Sequence, residues 1–135
     1  MIVVDTNAIA YLLLGGEGTA QARAAFLEDA DWVAPLLWRS EFRNVLAMHL
    51  RRGRLTLADA LLAMREAETL LAGSEYLVES ERVLGLAASS KCSAYDCEFV
   101  ALAEQLGVPL VTSDEEVLAA FPKVAVSPGK FVGAT

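Results

Sequence analysis

The chain has one histidine, two cysteines and no run of 18 consecutive apolar residues, and each shortage removes a class of protein. Without such a run there is nothing to cross a bilayer as a helix. The opening Met1-Ile2-Val3-Val4-Asp5 lacks a basic segment and carries a charge inside its apolar stretch, which argues against a secretory leader. Cys92 and Cys97 are too few for a disulfide framework, and C-x4-C is not the spacing of a zinc knuckle. They read as small core residues in a reducing cytoplasm. With His49 alone and no thiolate pair, zinc is poorly supplied with ligands. Positive charge is also scarce: eleven Lys and Arg stand against eighteen Asp and Glu, a net charge of −7. That field repels phosphate and argues against broad, non-specific nucleic-acid binding. It still permits a nucleic-acid enzyme whose acids surround cations, because bound cations reverse the local sign.

What is abundant is apolar surface. The hydrophobic fraction is 55% and the mean hydropathy +0.41, enough for a large core plus surface covered by a second copy or a partner. A chain of 135 residues makes one domain, burying roughly 68% of its unfolded surface, and residues 1–135 are read as a single unit.

Strands are expected at 2–5, 32–34, 76–78, 110–112 and 124–126, where short apolar, β-branched runs stop at turn residues. Helices are expected at 7–13, 19–29, 36–51, 56–72, 80–89, 94–106 and 114–120. Pro35 suits the first turn of its helix, Ser93 caps another, and Gly107 closes it. Strands alternating with helices predict a three-layer α/β/α sandwich on a mainly parallel sheet. Ligands of such sheets bind beyond the carboxyl ends of the strands.

Asp5 and Asp114 each end a strand at that edge. Either can be read simply as the cap of the helix that follows, and Asp96 as an acid favoured in a helix first turn. Glu41 is harder to dismiss. It shares an expected apolar stripe with Leu37, Val45 and Met48, where an unpaired carboxylate is costly. Arg39 and Arg43 at i±2 point away from it. If the four acids converge, pairs about 5 Å apart repel by roughly 3 kcal/mol at an effective dielectric of 20. Hard divalent cations bound through oxygen, Mg²⁺ or Mn²⁺, relieve that repulsion.

Val3-Val4-Asp5-Thr6-Asn7, Ser40-Glu41, Tyr95-Asp96 ahead of Val100-Ala101-Leu102-Ala103, and Leu110-Val111-Thr112-Ser113-Asp114 occur in that order. Together they resemble the four motifs of PIN-domain ribonucleases, in particular the VapC-type toxins of type II toxin–antitoxin systems. The ending Val126-Ser127-Pro128-Gly129-Lys130-Phe131 is similar to the tail of that family, and the resemblance spans essentially the whole chain. It implies that Asp5, Glu41, Asp96 and Asp114 form a catalytic Mg²⁺ or Mn²⁺ site, with Thr6, Asn7 and Thr112 supporting them. It also implies an RNA substrate, 5′-phosphate and 3′-hydroxyl products, a homodimer and a small antitoxin protein as partner. Cys97 and the pair Glu115-Glu116 depart from the usual pattern, and either glutamate could add a contact to a cation.

The expected chemistry is metal-assisted hydrolysis of RNA with water as nucleophile, so neither a covalent intermediate nor the 2′-hydroxyl is needed. Substrate must then be held by local cations. Arg51, Arg52 and Arg54 are the first candidates, with Arg43, Arg39 and Lys91 behind them; the competing reading is that they are solvated helix ends. Two other functions fit less of the chain. One is a PIN-fold partner-binding subunit, or a stand-alone RNA-processing nuclease with no toxin role. The other is an Asp-nucleophile phosphatase or a phospho-receiver. The phosphatase pattern wants Asp where Asn7 stands, and the receiver pattern wants a lone phospho-acceptor that is not evident.

Overall fold

Ile2–Val4 is a short β-branched run with every residue buried, and it forms β1 at the centre of the sheet. The computed structural model describes residues 1–133; the last two residues of the expected domain lie outside them. After β1 come α1 (Thr6–Leu14), α2 (Thr19–Glu28), β2 (Trp32–Pro35), α3 (Trp38–Arg51), α4 (Leu57–Leu70) and β3 (Glu75–Tyr76). They are followed by α5 (Ser80–Ala88), α6 (Ala94–Leu106), β4 (Leu110–Val111), α7 (Glu115–Ala120), β5 (Ala125–Val126) and α8 (Pro128–Phe131).

The strands order as β3-β2-β1-β4-β5, and every pair is parallel. Val3 of β1 sits opposite Val33 of β2 on one side and Leu110 of β4 on the other. Because β1, β2 and β4 are buried at every position, both sheet faces must be covered. Helix α6 lies against β1, β2 and β4 with α5 packed onto it, and α1 to α4 pack on one another as the second helical layer. The result is the three-layer α/β/α sandwich. The chain winds from β1 to β2 and β3 on one side, then crosses back to β4 and β5 on the other. The seam between β1 and β4 is therefore the switch point where a crevice opens at the carboxyl edge. None of the described helices is long and apolar enough to cross a membrane.

Four local expectations are corrected. Pro35 ends β2 and does not open a helix. The backbone N–H groups of Ala34 and Leu36, on either side of it, donate to Ser74 and Tyr76 of the neighbouring segment, so the one residue lacking an N–H falls where no donor is required. Second, the core-facing stripe of α3 is Trp38, Phe42 and Leu46. The stripe through Leu37, Glu41 and Val45 is only half-buried, and Met48 is 37% exposed. Third, of the apolar positions expected to mark the 56–72 helix, Leu57, Leu61, Met64 and Leu71, only Leu71 is fully buried and Met64 half-buried. Leu57 and Leu61 are exposed, as is Leu62, and α4 packs instead through Ala60, Ala63 and Ala67, whose small side chains let it approach α1 and α3 closely. Fourth, β3 is Glu75–Tyr76, not 76–78, and Leu77 is exposed.

Glu75 also explains Arg39. The guanidinium donates from Nε and Nη2 to both oxygens of Glu75 at 2.6 and 2.8 Å, and from Nη1 to Glu68 at 2.8 Å. The Trp38 indole donates to Glu75 as well, at 2.8 Å. Arg39 thus clamps α3 to α4 and β3 and is not free to hold RNA, which removes it from the candidates. Cys92 and Cys97 are buried free thiols.

Candidate active site

Each of the four acids reaches one crevice from a different element. Asp5 follows β1 directly, and its extended backbone lets the side chain turn back to cap α1, with Oδ1 accepting from Ala8 N–H at 2.9 Å. Asp114 does the same for α7, accepting from Val117 N–H at 3.0 Å. Capping and lining the crevice are therefore compatible. Each cap occupies one carboxylate oxygen and leaves further lone pairs. Glu41 projects from the first turn of α3, and Asp96 from the first turn of α6, whose N-cap is Ser93.

Together with Thr6, Asn7, Asn44 and Thr112, these acids line a cavity of about 250 Å³, walled by Val45, Phe99, Leu110 and Val117. Two hydroxyls tie the acids down. Thr112 Oγ1 donates to Asp5 Oδ2 at 2.6 Å, and Thr6 Oγ1 donates to Glu41 Oε1 at 2.7 Å. Both threonines are buried.

Burial pushes the Asp5 carboxyl above its ordinary pKa; the hydrogen bonds from Thr112 and Ala8 pull the other way, and the nearby Asp114 and Asp96 push it up again. Glu41 is raised too, first by burial, against the Thr6 hydrogen bond, then by Asp96, Asp5 and Glu98. Acids are thus close enough to feel one another, and no Lys, Arg or His lines the cavity among the described residues. Equally, no group of three or more acidic, His or Cys side chains is gathered to hold an ion directly among those residues. The donor chemistry is oxygen only, negative and uncompensated. It fits a hard divalent cation that keeps much of its water, and it does not fit zinc.

Arg43, Arg51, Arg52 and Arg54 are exposed and lie outside the cavity lining. From Glu41 to Arg51 is ten residues of helix, roughly 15 Å, so the arginine cluster is remote from the acids. Glu115 and Glu116 are also absent from the lining. Asn44, which the sequence reading passed over, is in it. The available signal was its place one turn after Glu41 on the same helix.

A family model described as PIN domain matches residues 2–125. The chain belongs to the PIN domain family. It is 32% identical over 124 residues to Ribonuclease VapC3 of Pyrobaculum aerophilum, covering 90% of this chain and 95% of that one. Its fold superposes on FitAcB from Neisseria gonorrhoeae with a TM-score of 0.73 at 19% identity, covering 95% and 98% of the two chains. A toxin–antitoxin complex from Klebsiella pneumoniae gives 0.67 at 18% identity, covering 95% and 98%.

Proposed function

We propose that this PIN-domain chain is a Mg²⁺- or Mn²⁺-dependent endoribonuclease and the toxin of a toxin–antitoxin pair. The observation that carries the reading is the cavity itself, with four carboxylates from four separate elements, no countercharge in its lining, and a place at the switch point of the sheet. Similarity to Ribonuclease VapC3 along 90% of the chain supports RNA as substrate.

Asp5, Glu41, Asp96 and Asp114 would hold the cation, in large part through its retained water. When bound, it supplies Lewis-acid polarisation of the phosphodiester and a more acidic water. Thr112 and Thr6 fix the rotamers of Asp5 and Glu41, so the carboxylates present their free lone pairs to the cavity without reorganisation. A volume of about 250 Å³ admits a phosphodiester, and sequence-specific RNA recognition mostly targets single-stranded loops and ends. Arg43, Arg51, Arg52 and Arg54 grip the strand away from the cut. With so few cations the salt dependence of binding is shallow.

Exposed Leu57, Leu61 and Leu62 on α4 supply apolar surface for a second copy or for the antitoxin. The toxin–antitoxin complex among the fold relatives supports such a partner, and a cellular RNA target accords with a cytoplasmic location. Incubating purified protein with defined tRNA and rRNA fragments, with and without Mg²⁺ or Mn²⁺, tests the reading. Metal-dependent cuts leaving 5′-phosphate and 3′-hydroxyl ends support it. No cleavage with either ion defeats it.

A further inference from the structure

The side-chain donors that face the cavity form a short inventory. Thr6 and Thr112 have their hydroxyl protons committed to Glu41 and Asp5. The acids, once ionised, only accept. That leaves the carboxamides of Asn7 and Asn44, both exposed, as the side chains whose N–H groups remain unspent among the described residues. Asn7 stands beside Asp5 on α1 and was already placed with the supporting residues. Asn44 stands on α3, one turn beyond Glu41, and lines the same cavity. It has no side-chain hydrogen-bond partner among the described residues, and no core packing accounts for a carboxamide there.

A phosphodiester drawn into this lining meets four acceptors and hardly any donors. Its two non-bridging oxygens need partners, and one of them left facing carboxylates is repelled. A neutral amide at that point donates a hydrogen bond without neutralising the acids that attract the cation, as Lys or Arg would do. An Asp there would add to the repulsion. Asn is the residue type that resolves both demands.

We propose that Asn44 contacts the substrate, its carboxamide N–H donating to a non-bridging oxygen of the scissile phosphodiester. This rests on the nuclease reading above and assigns that reaction a residue outside the acidic set. The bond to an anionic oxygen is worth roughly 10- to 100-fold in rate. Because Asn44 is exposed, its replacement leaves the core intact.

The test compares wild type, Asn44→Ala and the isosteric Asn44→Asp on a short RNA carrying one phosphorothioate at the cleaved position, as separate Rp and Sp isomers. Calorimetry of Mn²⁺ uptake without RNA runs alongside. The expected result is that both variants lose about 10- to 100-fold in kcat/KM on the all-oxygen RNA while the Mn²⁺ uptake of Asn44→Ala, which leaves the acidic set unchanged, matches wild type. For one isomer, the slowing caused by sulfur in wild type disappears in Asn44→Ala, since the bond that sulfur weakens is already gone. Wild-type rates in Asn44→Ala overturn the proposal, as do sulfur effects equal in both proteins. A loss of Mn²⁺ uptake in Asn44→Ala that matches the loss of rate also overturns it, because Asn44 then acts through the cation. Wild type that cuts no RNA overturns the nuclease reading and this contact with it, an outcome distinct from the other three.

Discussion

Thr112 Oγ1 lies 2.6 Å from Asp5 Oδ2, a hydrogen bond between residues 107 positions apart. The same hydroxyl oxygen accepts from the Asp114 N–H at 3.1 Å. One small side chain at the end of β4 therefore holds both strand-end acids across the seam with β1. Its removal is the most direct probe of that seam. Thr112→Val keeps the shape and deletes the hydroxyl, leaving a buried carboxylate oxygen and an N–H without their partner. The expected loss is about 1–3 kcal/mol of folding stability, read from urea unfolding. The Asp5 carboxyl rises further, because a hydrogen bond that lowers it is gone. Thr112→Ser restores both quantities. An unchanged unfolding midpoint in Thr112→Val shows the bond to be energetically idle.

Replacing Asp5 or Asp96 with Asn tests the proposed role of the acids. Each change keeps shape and removes one negative charge from the cavity. Metal-dependent cleavage is expected to fall by roughly 100-fold or more, with the circular dichroism spectrum unchanged. Cleavage surviving both substitutions places the chemistry elsewhere.

The pH dependence of Asp5 has a definite sign. Its carboxyl is raised in the folded chain, with burial the largest cause. The native state therefore holds that proton more tightly than the unfolded chain does. Metal-free stability falls as pH climbs from the ordinary carboxylate pKa, about 3.9, through the higher folded value. Asp5→Asn has no such group. Its melting temperature relative to wild type is expected to increase between about pH 4 and pH 7, and added Mg²⁺, which binds only wild type well, narrows the gap. A difference that does not vary with pH contradicts the burial of this charge.

Glu75 behaves in the opposite way. Hydrogen bonds from Arg39, and secondarily from Trp38, hold its carboxyl below the ordinary range. Its stabilising contribution is present above the unfolded glutamate pKa and is lost as pH falls through the folded value. Glu75→Gln should melt a few degrees below wild type at neutral pH and match it in acid. A deficit that persists in acid assigns the loss to packing, not to charge.

Local signals were legible where they act over one or two turns. Ser93, Asp5 and Asp114 cap the helices their positions announced, and Gly107 ends α6 in the left-handed conformation that favours glycine. The phase of a helix was less legible. In α3 both Leu37/Val45 and Trp38/Phe42/Leu46 are apolar stripes, one residue apart, and which of them faces the core depends on the sheet beneath. In α4 leucine hydrophobicity pointed one way and close packing of alanines another, and the packing prevailed. Pro35 was misplaced because the strand partner that makes its missing N–H harmless is some 40 residues away.

From its residues alone the chain determined the alternation of strands and helices, the helix caps and the presence of acids at strand ends, since these follow from short-range propensity and hydrogen bonding. Only the tertiary structure decided that Asp5, Glu41, Asp96 and Asp114 open onto one cavity, that Asn44 joins them and that Arg39 turns away to Glu75. Those outcomes depend on which parallel strands become neighbours, and adjacency between β1 and β4 is created by a crossover through most of the chain.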